Sequence, residues 1–142
     1  SPGTLGILTN PKHPIFCDFP TEMHTNWQWF PVIKESHPLV LDNFAKGVKP
    51  IVQVIDNIER NHKLGLVMEW KVGAGKLLVC MSDLEKASEY PEGRAFYESV
   101  LSYMRSPEFA PQSEITIAGL RKKLKEEPRQ ISLKELNNIS QY

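Results

Sequence analysis

The chain has 142 residues, of which 41% are apolar and 24% charged, a size and composition that suit one globular domain with a sizeable core. Lys plus Arg and Asp plus Glu both number 17, so no net field draws the chain to nucleic acid or to an anionic membrane. No apolar run approaches the roughly 20 residues of a membrane span, and the opening "SPGTLGILTN" has neither the basic start nor the apolar stretch of a signal peptide.

Residues 1–24 carry Pro2, Pro11, Pro14 and Pro20, which deny a long helix and predict short extended pieces and turns. Thr25 is placed to cap a short helix through "NWQWF", and Pro31 either kinks that helix or opens a second turn at "PVIKES". Four strands follow. "PLVL" (38–41) is short, and "PIVQVIDN" (50–57) is rich in β-branched residues. "LGLVMEWKV" (64–72) and "KLLVCMS" (76–82) flank the turn signal "GAG" and predict an antiparallel hairpin. Its second arm is nearly continuous apolar sequence, which implies burial on both faces.

"EYPEGRAFYESVLSYMRSP" predicts a helix of about four turns from Pro91, with Glu92 favourable to the helix dipole. Phe96, Val100, Tyr103 and Met104 form its apolar face, and Pro107 ends it. Strands covered by helices indicate an α/β layered sheet with flanking helices. Composition then shifts, dividing the chain into an α/β domain over 1–106 and a helical tail over 107–142. In the tail Thr116 caps a helix with Ile117, Leu120 and Leu124 on one side. "SLKE", Ser132 to Glu135, has capping-box spacing and opens another helix with Leu136 and Ile139. The mixed charges of "RKKLKEEPR" describe a solvated helix face.

Most site chemistries fail on these residues. Cys17 and Cys80 are too few for a disulfide framework or a four-cysteine zinc site. A strained nucleophile elbow needs small neighbours, whereas Cys80 sits between Val79 and Met81. Both cysteines lie in apolar runs and are expected to be buried, reduced and unreactive. His13, His24, His37 and His62 are scattered, with no metal-ligand spacing, and His13-Pro14 and His37-Pro38 suit turns. "GAGK" lacks the remaining glycine and the Ser/Thr of a phosphate loop, so no cofactor is expected. Asp56, Glu69 and Asp83 lie on or beside strands where paired carboxylates could converge, but the chain is too short for a (β/α)8 barrel of roughly 250 residues.

Two clusters remain. "DNIERNHK" sets Asp56, Asn57, Arg60, Asn61 and His62 just after a strong strand, where α/β sheets often bind ligands. The alternative is that Asp56 and Asn57 merely organise a turn. "HTNWQWF" offers His24, Trp27, Gln28 and Trp29, and a sugar's C–H face stacks well on tryptophan. On one continuous helix Trp27 and Phe30 share a face, so Trp27 is expected to pack into the sheet and Trp29 to point elsewhere. Packing or an interdomain contact is preferred to a sugar platform.

"NPKHPIFCDFPTEMHTNWQWF", "PIVQVIDNIERNHKLGLVMEWKVGAGKLLVC" and "GRAFYESVLSYM" resemble a domain near the C-terminus of bacterial glycoside hydrolases of family two, the β-galactosidase-like enzymes. The likeness spans about residues 5–106. It implies a class I glutamine amidotransferase-like, or flavodoxin-like, fold that this chain enters partway, without its first βα units. The amidotransferase nucleophile has no counterpart here. The resemblance therefore implies a non-catalytic accessory domain, serving architecture or weak sugar contact. Its partners would be the remainder of the parent enzyme, a carbohydrate or a second copy, and its location periplasmic or secreted. An oligomerisation domain and a small self-contained hydrolase using Asp56, Glu69 or Cys80 are the alternatives. A sheet face left uncovered would drive association into an oligomer.

Overall fold

The computed structural model describes residues 6–42, 44, 48–56 and 62–126. The strands are β1 (Ile7–Thr9), β2 (Leu39–Val40), β3 (Val52–Ile55), β4 (Lys63–Val72) and β5 (Gly75–Cys80). They form one open five-stranded sheet in the order β1-β3-β4-β2, with β5 also on β4. Every strand pair is antiparallel. The parallel core on which a flavodoxin-like sheet is built is therefore not found among the described strands.

β4 is the spine. Its first half pairs with β3 on one side and β2 on the other, and its second half pairs with β5. The β4–β5 connection is the two-residue Gly73–Ala74 link between the paired Val72 and Gly75, and Gly73 has φ 57°, the left-handed backbone a tight hairpin favours. Beyond the β3 edge, Lys71 exchanges hydrogen bonds with the 113–115 segment: its N–H donates to the Ser113 carbonyl, and its carbonyl accepts from the Ile115 N–H.

Both faces of the hairpin are covered, as its apolar sequence predicts. Glu69 and Lys76 look toward α3 (Pro91–Arg105): the Tyr103 hydroxyl donates to Glu69 Oε2 at 2.6 Å, and Lys76 Nζ lies 5.6 Å from the Phe109 ring centre. Side chains alternate along a strand, so Met68 and Trp70 point the opposite way, where Phe44 stacks on Trp70 at 5.9 Å.

α3 begins as the sequence predicts, with Pro91 in its first turn beside Glu92. Phe96, Val100 and Tyr103 are buried, but Met104 stands out at the surface because it follows Tyr103 by one residue and turns about 100° away. Gly93 lets α3 close onto the short α2 (Leu84–Ala87): a Cβ there would lie 2.0 Å from the Ala87 carbonyl oxygen. Ser99, fully buried in α3, donates to the Ile15 carbonyl and accepts from the Asp18 N–H, which clamps the 3-10 turn Pro14–Phe16. α4 (Ile117–Glu126) is capped by Thr116, whose Oγ1 accepts from the Gly119 N–H at 2.9 Å, and it buries Leu120 and Leu124 while Ile117 stays exposed. The helix predicted from Ser132 lies outside the described residues.

The tryptophan pair reverses the sequence expectation. Residues Trp27–Trp29 form a 3-10 turn capped by Asn26 rather than Thr25, and α1 (Phe30–Lys34) continues from it with Pro31 in its first turn. Thr25 instead accepts the Ile7 N–H on its hydroxyl at 2.7 Å. Because the helical path runs on through Pro31, Trp29 shares a face with Val32 and Ile33, and all three are fully buried. Trp27 is left 89% exposed. The Trp29 ring meets Phe16, Phe19 and Phe96 with centres 6.0, 5.1 and 5.1 Å away, and its Nε1–H donates to Thr21 Oγ1 at 2.8 Å. Trp29→Ala should lower unfolding free energy by about 3–5 kcal/mol, the usual cost of emptying a large aromatic site. Trp27→Ala should stay within about 0.5 kcal/mol, as for an exposed position. Urea denaturation of both variants measures this directly.

Candidate functional site

The two clusters singled out in the sequence are both found toward the end of the sheet where β1 starts and β3 stops. The 24–29 turn is tied to β1 through the Thr25 hydroxyl on the Ile7 N–H, and the end of β3 is tied to the adjacent residue by the Ile55 N–H on the Gly6 carbonyl, 2.9 Å. The 24–29 turn and the end of β3 are thus tied to neighbouring residues, Ile7 and Gly6.

Within the first turn, Gln28 and Asn26 hold the backbone. Gln28 Nε2 donates to the Pro20 carbonyl at 2.7 Å, and Asn26 Oδ1 accepts from the Gln28 N–H at 3.2 Å. His24 is exposed, with Nε2 3.1 Å from Glu22 Oε2, and its backbone bridges to Leu8 of β1. Trp29 is core and unavailable to a ligand. Trp27 has its ring in solvent, and Met23 (64% exposed) and Leu8 (47%) are also exposed, on the adjoining segment and on β1. These apolar neighbours went unremarked in the sequence, where an exposed methionine carries no signature.

After β3, the Asp56 carboxylate accepts the His62 N–H at 3.1 Å. His62 Nδ1 lies 2.7 Å from Asp42 Oδ2, and Asp42 Oδ1 also accepts the Lys63 N–H. The hydrogen bond from His62, then that from Lys63, hold the Asp42 carboxyl below the usual carboxylate range. Asp42 is the site residue that sequence reading missed. It follows β2, twenty positions before His62, and only the antiparallel pairing of β2 with β4 brings the two together. Asn57, Arg60 and Asn61 lie outside the described residues.

The carboxylates considered for paired chemistry are engaged separately. Asp56 accepts the His62 N–H, Asp83 caps α2 by accepting the Lys86 N–H at 3.1 Å, and Glu69 binds Tyr103. Glu69 Oε1 also lies 3.9 Å from His13 Nε2, and the His13 and Tyr103 rings meet edge-on at 5.2 Å. Burial first, and then the Glu69 partner, push the Tyr103 hydroxyl well above its ordinary range, so it remains a proton donor to Glu69. Among the described residues no group of three or more His, Cys, Asp or Glu side chains is placed to hold a metal ion.

The two thiols differ, against the expectation that both are buried. Cys17 is exposed because the 3-10 turn before it sends Ile15 and Phe16 inward and the next residue out. Cys80 is half-buried, and burial pushes its thiol up to about 12. A thiol-reactive disulfide reagent at pH 8 should therefore label one cysteine rapidly in the native protein and the second only on unfolding. Cys17→Ser should abolish the fast phase. A fast phase that survives Cys17→Ser would contradict this assignment.

No curated protein matches the chain. A family model described only as a domain of unknown function does match it, over residues 1–125, which include Trp27, Asp42, His62 and every strand of the sheet. The chain belongs to that family, DUF8487.

Proposed function

We propose that this chain is a non-catalytic accessory domain of a carbohydrate-active glycoside hydrolase, of the β-galactosidase-like kind its sequence resembles, and that Trp27 is its contact residue. The observation that carries this is an indole 89% exposed on a turn fixed at both ends. Asn26 and Gln28 hold the turn on one side, and the buried Trp29 anchors it on the other. An aromatic surface held in place loses little entropy on binding, which is the economy of rigid tryptophan contacts with sugars and with neighbouring domains. Exposed His24, three positions earlier in the chain, supplies a hydrogen-bonding group for hydroxyls.

The finer likeness, to a glutamine amidotransferase-like or flavodoxin-like domain, belongs to the same proposal. Helices lying against the sheet accord with it; the antiparallel pairing of the described strands does not supply its parallel core. A second use of the same surface, contact with the parent enzyme or with another copy, is favoured by the exposed Met23 and Leu8, which are apolar rather than hydrogen-bonding.

The test is a titration of tryptophan fluorescence with simple galactosides, on the wild type and on Trp27→Ala. Sugar contact predicts binding in the millimolar range, about 4 kcal/mol, and its loss in Trp27→Ala without a change in unfolding midpoint. A flat titration of the wild type would remove the sugar contact. Concentration-dependent sedimentation that Trp27→Ala abolishes would then support the architectural role, and a monomer in both proteins would sink it too.

A further inference from the structure

His13 caps the 3-10 turn Pro14–Phe16 with its ring: the Ile15 N–H donates to His13 Nδ1 at 3.1 Å. An N–H can donate only to a nitrogen that carries a lone pair, so Nδ1 is unprotonated and the neutral ring bears its hydrogen on Nε2. Nε2 is the atom that faces Glu69 Oε1 at 3.9 Å. The ring is further held edge-on by Tyr103 at 5.2 Å and by Phe16 at 6.4 Å. One imidazole therefore joins the N-terminal turn to both β4 and α3. That turn delivers Ile15 and Phe16 to the core, and Phe16 is one of the rings that hold Trp29.

We infer that His13 is an acid-sensitive latch, holding the 14–19 turn as the neutral imidazole and releasing the Ile15 amide when it gains a proton at Nδ1. Protonation converts the cap from an acceptor into a donor, so two N–H groups would face each other. The Ile15 N–H, on a fully buried residue, would lose its partner.

The charged groups around the ring act in the other direction. Glu69 from β4 and Glu108 from the segment after α3 both favour a cation at His13, while the Tyr103 hydroxyl is neutral and committed to Glu69. Lys71 and Lys76, a cross-strand pair on the Glu69 face, lie further along the hairpin. Burial outweighs the two carboxylates and lowers the His13 pKa below 6.5. At 3.9 Å, Glu69 Oε1 is only at the limit of an ion pair, and its other oxygen already serves Tyr103. For a histidine depressed in the fold, the stabilisation is fully present above 6.5 and is lost as pH falls from there through the folded-state value.

The test is an NMR titration of the His13 ring and the Ile15 amide in the native protein, with urea midpoints of the wild type and His13→Asn over the same range. Asn at this position can still accept the Ile15 N–H but does not titrate. The expected result is a His13 pKa below 6.5 with the Ile15 amide shifting in step. The wild-type folding constant should then fall relative to His13→Asn, up to tenfold for each unit of depression. A ring pKa at or above 6.5 would overturn the inference, because protonation would then tighten the contact with Glu69. Should His13→Asn fail to fold, the wild-type titration decides alone.

Discussion

The Trp29 indole is the contact on which the arrangement of this molecule turns. Three phenyl rings surround it, Phe16 and Phe19 from the N-terminal turns and Phe96 from α3, and its one polar atom is satisfied by Thr21. A buried aromatic with its N–H paired removes a large apolar area from water without leaving an unmet donor. The proline-rich segment has little regular structure of its own, yet this single ring nails it to α3. Ser99 completes the clamp from the helix side by bonding the backbone of Ile15 and Asp18. With Trp29 inward and the following residues helical, Trp27 has no path to the core. Its exposure is a geometric consequence of the anchor beside it.

β4 plays the matching part for the sheet. Ten residues long, it reaches partners on both edges and buries side chains on both faces. Glu69 takes the Tyr103 proton and lies near His13, so the one acid midway along the spine connects sheet, helix and N-terminal turn. The turn carrying Trp27 and the Asp42–His62 pair are each attached to this framework by hydrogen bonds between backbone and side chain.

Local features were legible in the sequence because local physics decides them. The "GAG" hairpin, the Pro91 start of α3 and the Thr116 cap all stand where the residues put them. The tryptophan assignment failed on phase, because it paired Trp27 with Phe30 and did not carry the pattern past Pro31. Proline is tolerated in a first helical turn, and extending the pattern through it gives Trp29, Val32 and Ile33 on one face, a signal already present in the letters. The burial of Cys17 failed for a related reason, since an apolar run read as a strand or helix has a different phase from a 3-10 turn. Strand order beyond the hairpin was out of reach of local reading: pairing across the sheet is non-local, and the residues of β1, β2 and β3 do not encode which strand lies beside them. The Asp42–His62 contact was hidden in the same way, by a register known only once β2 lies beside β4.

The central claim, that Trp29 is the anchor and Trp27 the presented ring, is most directly tested by solvent exchange of the indole N–H protons, resolved by NMR and assigned with Trp27→Phe. The account predicts that the Trp27 indole proton exchanges as freely as in a short peptide. The Trp29 proton, bonded to Thr21 and enclosed by three phenyl rings, should be strongly protected. A protected Trp27 with a freely exchanging Trp29 would contradict the account at its root.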